Sequence, residues 1–168
     1  AVTKPTDNDS PRSAPVLKKD PRLAKLEAAF DKFWREEMQQ PYLAELSDLR
    51  KRYLNTGLTQ ARDKAQKFRR ESELRALDTE IALVQSGAAI PAANESGNAP
   101  ASLINLRRLY HQRLSEYTAG RARMAPPVLR AQLKGFDAYI KELKDAGMTE
   151  DAMRVQAVRD SKAELKLE

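Results

Sequence analysis

Residues 126–167 read PPVLRAQLKGFDAYIKELKDAGMTEDAMRVQAVRDSKAELKL, and this stretch decides the fold of the chain. Its first apolar residues recur at intervals of three or four: Leu129, Leu133, Phe136, Ile140 and Leu143. That spacing puts one apolar stripe on one face of a helix. Gly147 then offers the left-handed conformation that ends a helix, and Thr149 offers a cap for the next one. The stretch therefore predicts a tight helical hairpin.

The first half of the chain has signals of the same kind. Asp20-Pro21 is a typical helix start, a capping side chain followed by a ring with a helical φ. An apolar stripe follows it: Leu23, Leu26, Phe30 and Phe33. Pro41 predicts a kink or a one-residue break in this helix. The run Asn55–Thr59 predicts the first turn, around Gly57, with Thr59 as the cap of a return helix that reaches Gln85.

Two further segments complete the domain organisation. The polar, proline-containing composition of residues 1–19 predicts a disordered tail. Residues 86–101 are rich in Ala, Gly, Asn, Ser and Pro, which predicts a flexible linker. Ser102 is the predicted cap of a third helix, and Pro126-Pro127 predicts a break before the hairpin quoted above. The apolar spacing slips between Phe68 and Leu74, which indicates a change of supercoil or a stripe that rotates toward a second partner.

The predicted fold class is all-α, with two kinked antiparallel helical hairpins over residues 20–85 and 102–168 that resemble coiled coils. Packing into a four-helix bundle and pairing with a second chain both remain open. The halves share an order of parts, in which Pro41-Tyr42-Leu43 aligns with Pro127-Val128-Leu129. This order predicts an internal repeat, with chance similarity between two hairpins as the alternative.

The second hairpin also resembles a family. Tyr139–Leu143, Asp145-Ala146-Gly147 and Thr149–Val155 are similar to an uncharacterised helical-hairpin repeat of exported or envelope multidomain proteins in planctomycete-type bacteria. The resemblance covers about forty residues well and the first half poorly. It implies a helical spacer or interaction module and favours an exported, periplasmic or envelope location over the cytoplasm.

Composition limits the classes of function. The chain has 168 residues, of which 41% are hydrophobic, 32% charged and 6% aromatic, and it has no cysteine. Narrow helical seams suit these proportions better than a thick core, and cysteine chemistry is excluded. No apolar run reaches the roughly 18 residues that a membrane span needs. We therefore expect no transmembrane segment.

Reactive constellations are missing from the sequence. His111 is the only histidine, and its spacing places no acid or nucleophile beside it. The acid pairs Glu36-Glu37 and Glu150-Asp151 are adjacent, so their side chains point to different sides of a helix. No glycine-rich phosphate loop or nucleophile elbow occurs. The sequence predicts a non-enzymatic protein without cofactor, metal or small-molecule substrate.

Positive charge is concentrated in two zones of a chain with net charge +6. Residues 50–75 and 102–135 each carry a net +6, so the rest of the chain is acidic. An antiparallel hairpin would gather the first zone at one end, where it would attract polyanions. The predicted polyanion contacts are Arg50, Lys51, Arg52, Arg62, Lys67, Arg69, Arg70, Arg107, Arg108, Arg121 and Arg123. A solvated charged face is the alternative interpretation.

Three functional hypotheses follow. The first is a helical scaffold or protein-interaction module, with a protein partner or homodimer. The second is a basic module that binds nucleic acid, acidic glycan or lipid headgroups. The third is an exported holdase-like chaperone with exposed seams. Six aromatic residues occur at helical spacing in the first half: Phe30, Phe33, Trp34, Tyr42, Tyr53 and Phe68. We expect them to form part of a hydrophobic core, and the alternative is that they stack against the bases of a single-stranded nucleic acid.

Overall fold

The computed structural model describes residues 19–95 and 97–164. Every regular element in these ranges is helical, so the all-α prediction is confirmed. The predicted tail over residues 1–19 lies almost entirely outside the described residues.

The first long helix is one uninterrupted run over residues 21–67. Its parts are α1 (Pro21–Phe33), π1 (Trp34–Gln39), α2 (Gln40–Arg52), π2 (Tyr53–Leu58) and α3 (Thr59–Lys67). Its start is as predicted, because the Asp20 carboxylate accepts a hydrogen bond of 3.0 Å from the Leu23 N–H and Pro21 occupies the first turn.

Pro41 does not break this helix. The π-helical segment π1 comes directly before Gln40 and Pro41. A π turn shifts the carbonyl groups relative to an α-helix, which relieves the clash between a proline ring and the preceding turn. The helix therefore continues through the proline without an interruption.

The predicted turn at Gly57 is wrong. Gly57 lies inside π2, and Thr59 is the first residue of α3, where its hydroxyl donates back to the Leu54 carbonyl at 3.0 Å. The absence of a side chain at Gly57 serves helix packing instead. A Cβ atom built there would lie 3.0 Å from Leu106 Cδ2 of the opposite long helix.

The first hairpin turns at residues 68–70, and α4 (Glu71–Gln85) returns from there. Arg69 takes the left-handed conformation, with φ +54°, although it is not glycine. The interrupted apolar spacing after Phe68 marked this position. Its cause is the turn itself and not a change of supercoil.

The second long helix, α5 (Ala101–Asp145), has 45 residues and contains Pro126 and Pro127. The predicted break at these prolines is wrong. Ala125 on one side is 4% exposed and belongs to a core shared with the first long helix, and this packing supports the segment that lacks two N–H donors. Ser102 is not a cap: α5 begins after Pro100, and the Ser102 hydroxyl donates to the Glu73 carboxylate at 2.7 Å.

The two long helices run antiparallel. At one end of the pair, the Arg22 guanidinium donates to the Glu142 carboxylate. In the middle, the hydroxyl oxygens of Tyr42 and Thr118 lie 3.1 Å apart. At the other end, Gly57 packs against the Leu106 side chain. The first long helix, residues 21–67, is two residues longer than α5, residues 101–145. The three contacts define the register in which the two long helices face each other.

A short helix packs on each end of the long pair, which creates two cores. The first core joins α1, π1, the second half of α5 and α6 (Thr149–Ala163). The second joins π2, α3, α4 and the first half of α5. Ile90 in the segment between α4 and α5 is 6% exposed and belongs to the second core. Each end is thus a three-helix unit.

The two hairpin turns have the same hydrogen-bond pattern. The N–H groups of Arg69 and Arg70 donate to Gln66 and Ala65, and those of Gly147 and Met148 donate to Lys144 and Leu143 in the same order. Gly147, with φ +73°, is the predicted turn glycine. Residues 69 and 147 therefore occupy the same place in their two turns, while the internal repeat itself stays a prediction.

Candidate functional site, an apolar groove between the long helices

An open groove of about 560 Å³ runs between the first long helix and α5. No residue of α4 or α6 lines it, so it lies along the long pair alone. Its walls are Leu49, Arg52, Tyr53, Thr56, Gly57 and Gln60 from the first helix, and Leu106, Leu109, Tyr110, Arg113 and Tyr117 from α5.

The floor of the groove follows from close helix packing. Gly57 lets Leu106 approach the backbone of π2, and the rings of Tyr53 and Tyr110 contact each other with centroids 5.3 Å apart. Leu109 on the rim is 53% exposed. An exposed leucine beside partly buried aromatic rings is an apolar surface that no described residue covers.

A buried polar network lies beneath this floor. The Arg107 guanidinium donates to both carboxylate oxygens of Glu80, at 3.1 and 2.6 Å, and the Tyr53 hydroxyl donates to the same carboxylate at 2.8 Å. The side chains of Arg107 and Glu80 are only 7% and 3% exposed. Burial, and then the hydrogen bond to Glu80, raises the pKa of Tyr53. The network ties α4 to both long helices.

The groove itself carries positive charge only. Arg52 and Arg113 are its charged lining residues, and none of the lining residues is acidic. The Arg113 guanidinium forms a salt bridge of 3.1 Å with Glu116, a residue that does not line the groove. The groove continues past Leu106 and Leu109 into a shallower depression that adds Lys64 and Arg70, with Glu73 as its single acid. An acidic ligand would therefore meet a favourable field along most of this face.

Four of the predicted polyanion contacts are used inside the fold. Arg107 is buried against Glu80, and Arg121, 9% exposed, stacks on Tyr42 at 4.3 Å from the ring centroid. Arg50 donates to the carbonyls of Val84 and Ala88 at the end of α4. Arg62 pairs with Asp78 across the first hairpin. The prediction that Arg107 and Arg121 present a charged surface is wrong, because helix register turns both inward.

The other predicted contacts are exposed but do not form one surface with them. Lys67, Arg69 and Arg70 gather at the turn of the first hairpin, and Arg52 lines the groove. The remaining exposed cations lie elsewhere on the long helices: Lys51, Arg108 and Arg123. Phe68 at the turn is 55% exposed, so it does not belong to the predicted aromatic core. The sequence did not identify the groove residues Leu109, Arg113 and Tyr117 as a set, because only the packing of the two long helices brings them together with Arg52 and Tyr53.

His111 has a structural place. Its Nε2 atom lies 2.9 Å from the Pro91 carbonyl, and its ring packs edge-on against Tyr110. Within residues 19–95 and 97–164, no three His, Asp or Glu side chains form a group that could hold a metal ion. No helix in the same ranges is long and apolar enough to cross a bilayer.

Comparison with known proteins gives no assignment: no protein-family model, curated protein or solved structure matches the chain.

Proposed function

We propose that this chain is a non-enzymatic helical interaction module whose groove binds an amphipathic helix with acidic flanks from a partner protein. The observation that carries the proposal is the groove of about 560 Å³, apolar along its floor and lined by arginines as its only charged residues. Amphipathic helices bind in such grooves through apolar side chains three and four residues apart.

The geometry of the long pair supports a helix as the occupant. Two adjacent antiparallel helices present a straight furrow, and a further helix laid in it would cover Leu109 and the exposed edges of Tyr110 and Tyr117. The three-helix unit at this end would thereby become a four-helix arrangement. Burial of apolar surface supplies the affinity of such a complex.

Charge selects among possible helices. A partner with Glu or Asp beside its apolar stripe gains from Arg52, Arg113, Lys64 and Arg70, and a basic partner meets like charge. This selectivity separates the proposal from a holdase-like chaperone, which binds unfolded clients with little regard to pattern. The family resemblance adds an exported or envelope location to the proposal.

Designed peptides test the proposal directly. Two labelled helical peptides share one leucine stripe and differ only in flanking residues, all Glu in one and all Lys in the other. We expect the acidic peptide to bind the full chain at least about tenfold more tightly by fluorescence anisotropy at low salt. Leu109→Ser and the double change Arg52→Glu with Arg113→Glu should each weaken that binding about tenfold or more.

The control variant is Leu43→Ser. Leu43 is 60% exposed on α2 and lies outside the groove, so its loss should leave peptide binding unchanged. Equal affinity for both peptides, or an equal effect of the control, would remove the proposal. Sedimentation of the free chain identifies the other occupant: a dimer that Leu109→Ser dissociates would show that a second copy fills the groove.

A further inference from the structure

The turn of the first hairpin exposes an aromatic side chain among cations. Phe68 is the residue directly after α3, and it is 55% exposed. Among the described residues, it is the one aromatic residue in the set of exposed large apolar side chains. Lys67 Nζ and Arg70 Cζ lie 5.8 and 5.5 Å from the centroid of its ring. Lys64 and Arg69 are exposed beside them. We call residues 64–70 the basic tip.

Acidic residues near the basic tip neutralise it only in part. The Glu73 carboxylate turns toward α5, where it accepts from the Ser102 hydroxyl at 2.7 Å and its side chain is 17% exposed. Arg70 contacts the other oxygen of Glu73 at 3.5 Å. Glu71 is exposed in the first turn of α4. Asp63 is exposed immediately before Lys64, so Asp63, Glu71 and Glu73 all flank the tip. Residues 64–70 themselves contain four cations and no acid, so the tip keeps a positive charge.

The backbone at Arg69 points to a use for its side chain. Arg69 holds φ +54° at the place where the second hairpin has Gly147 at φ +73°, with the same hydrogen bonds around it. A left-handed residue with a Cβ atom is strained, and glycine would remove the strain. Strained residues of this kind occur where a side chain has a function.

We propose that the basic tip docks the molecule on an anionic membrane surface. Phe68 enters the boundary between headgroups and acyl chains, and the surrounding Lys and Arg side chains reach lipid phosphates and carboxylates. A convex tip with a single aromatic residue suits a flat charged surface. Single-stranded nucleic acid is instead bound by successive aromatic platforms in a groove, which the tip lacks.

The second hairpin turn provides a comparison inside the molecule. Gly147 and Met148 make the same backbone hydrogen bonds as Arg69 and Arg70 do in the first turn. The exposed apolar side chain of the second turn is Met148, which is 43% exposed. Three acids and one lysine flank it: Asp145, Glu150, Asp151 and Lys144. Only the first turn therefore combines an exposed apolar side chain with excess positive charge.

The test measures sedimentation of the full chain with vesicles of phosphatidylcholine alone and with phosphatidylserine added. We expect binding only to the anionic vesicles, weakening as salt rises. Phe68→Ser should weaken binding about tenfold through lost apolar burial. Arg69→Gly should weaken it about fivefold, the effect of one cation near an anionic bilayer, and leave thermal stability equal or higher. A structural role for Arg69 cannot produce that combination.

Matched variants decide the remaining outcomes. Met148→Ser at the second turn should leave vesicle binding unchanged. In Phe68→Trp, tryptophan fluorescence should shift to the blue and be quenched by brominated lipid, with Trp34 buried at 4% as a constant background. No vesicle binding, binding unaffected by Phe68→Ser, or tighter binding of single-stranded DNA through the same residues would each overturn the proposal. The groove variant Leu109→Ser should not affect vesicle binding, so the two proposals fail independently.

Discussion

Replacing Glu80 with leucine should destabilise the second core severely, because it removes the buried carboxylate that accepts from both the Arg107 guanidinium and the Tyr53 hydroxyl. The Glu80 side chain is 3% exposed and the Arg107 side chain 7% exposed. The Glu80 carboxylate accepts hydrogen bonds from both Arg107 and Tyr53. Breaking a buried ion pair by removing one partner costs about 3 to 5 kcal/mol. Domains of this size have total stabilities of about 5 to 15 kcal/mol, so the loss is a large share of the whole.

The double change Glu80→Leu with Arg107→Leu gives the opposite expectation. Replacing both members of a buried pair with apolar residues is often neutral or stabilising by about 1 to 4 kcal/mol, because no charge then has to be desolvated. The Tyr53 hydroxyl also loses its acceptor, which offsets about 1 to 3 kcal/mol of that gain but still leaves the double variant more stable than the single one. Urea unfolding followed by circular dichroism gives the free energy of unfolding for each variant. Hydrogen exchange should show lost protection over residues 71–85 in the single variant, with residues 149–163 unaffected, because Glu80 lies in α4.

The surface pair between Arg62 and Asp78 is the control, since it also joins α4 to the first long helix. Its side chains are 36% and 47% exposed, so Asp78→Asn should cost under about 1 kcal/mol. The reasoning is refuted if Glu80→Leu costs no more than this control. It is also refuted if the double variant is as unstable as the single one.

Two further predictions concern pH and helix packing. The pKa of Tyr53 is raised in the folded state by burial and by its hydrogen bond to Glu80, so its stabilising contribution is complete below its unfolded pKa of about 10 and is lost as pH rises above that value. The free energy of unfolding should therefore fall less steeply with rising pH in Tyr53→Phe, by up to about 1.4 kcal/mol per pH unit. Urea unfolding between about pH 9 and 11 measures this dependence, and the same dependence in both proteins would contradict the prediction. Gly120→Ala should add about 1 kcal/mol of stability because its Cβ meets open space, and Gly57→Leu should cost about 1 to 3 kcal/mol because Leu106 already touches that backbone. Thermal unfolding of both variants checks the pair, and a stabilised Gly57→Leu protein would show that the helices do not approach there.

Local signals in the sequence were sufficient for the helices and for one turn. Asp20-Pro21 starts the first long helix and Gly147 ends α5, because capping and left-handed glycine depend on a few neighbouring residues. The stripe from Leu129 to Leu143 lies in the cores as its spacing predicts. These features need no information from the other half of the chain.

The failed local predictions share one cause, which is packing from a distant helix. Gly57 resembles a turn glycine until Leu106 is placed against it, and Pro126-Pro127 resembles a helix end until the first long helix supports that segment. Arg69 forms a turn without glycine, and only the slip in apolar spacing indicated it. Propensity is a weak preference that tertiary contacts override by several kcal/mol.

The candidate site divides in the same way between sequence and structure. Composition and apolar spacing determined an all-helical chain, and the sequence itself shows its two basic zones. Only the tertiary structure decided that Arg107 lies buried on Glu80 and that Arg52 faces an open groove. The physical reason is that one residue along a helix turns a side chain by about 100°, so the register of the two long helices decides which charges are buried. No local pattern in the sequence revealed that register, or the two π turns within the first long helix.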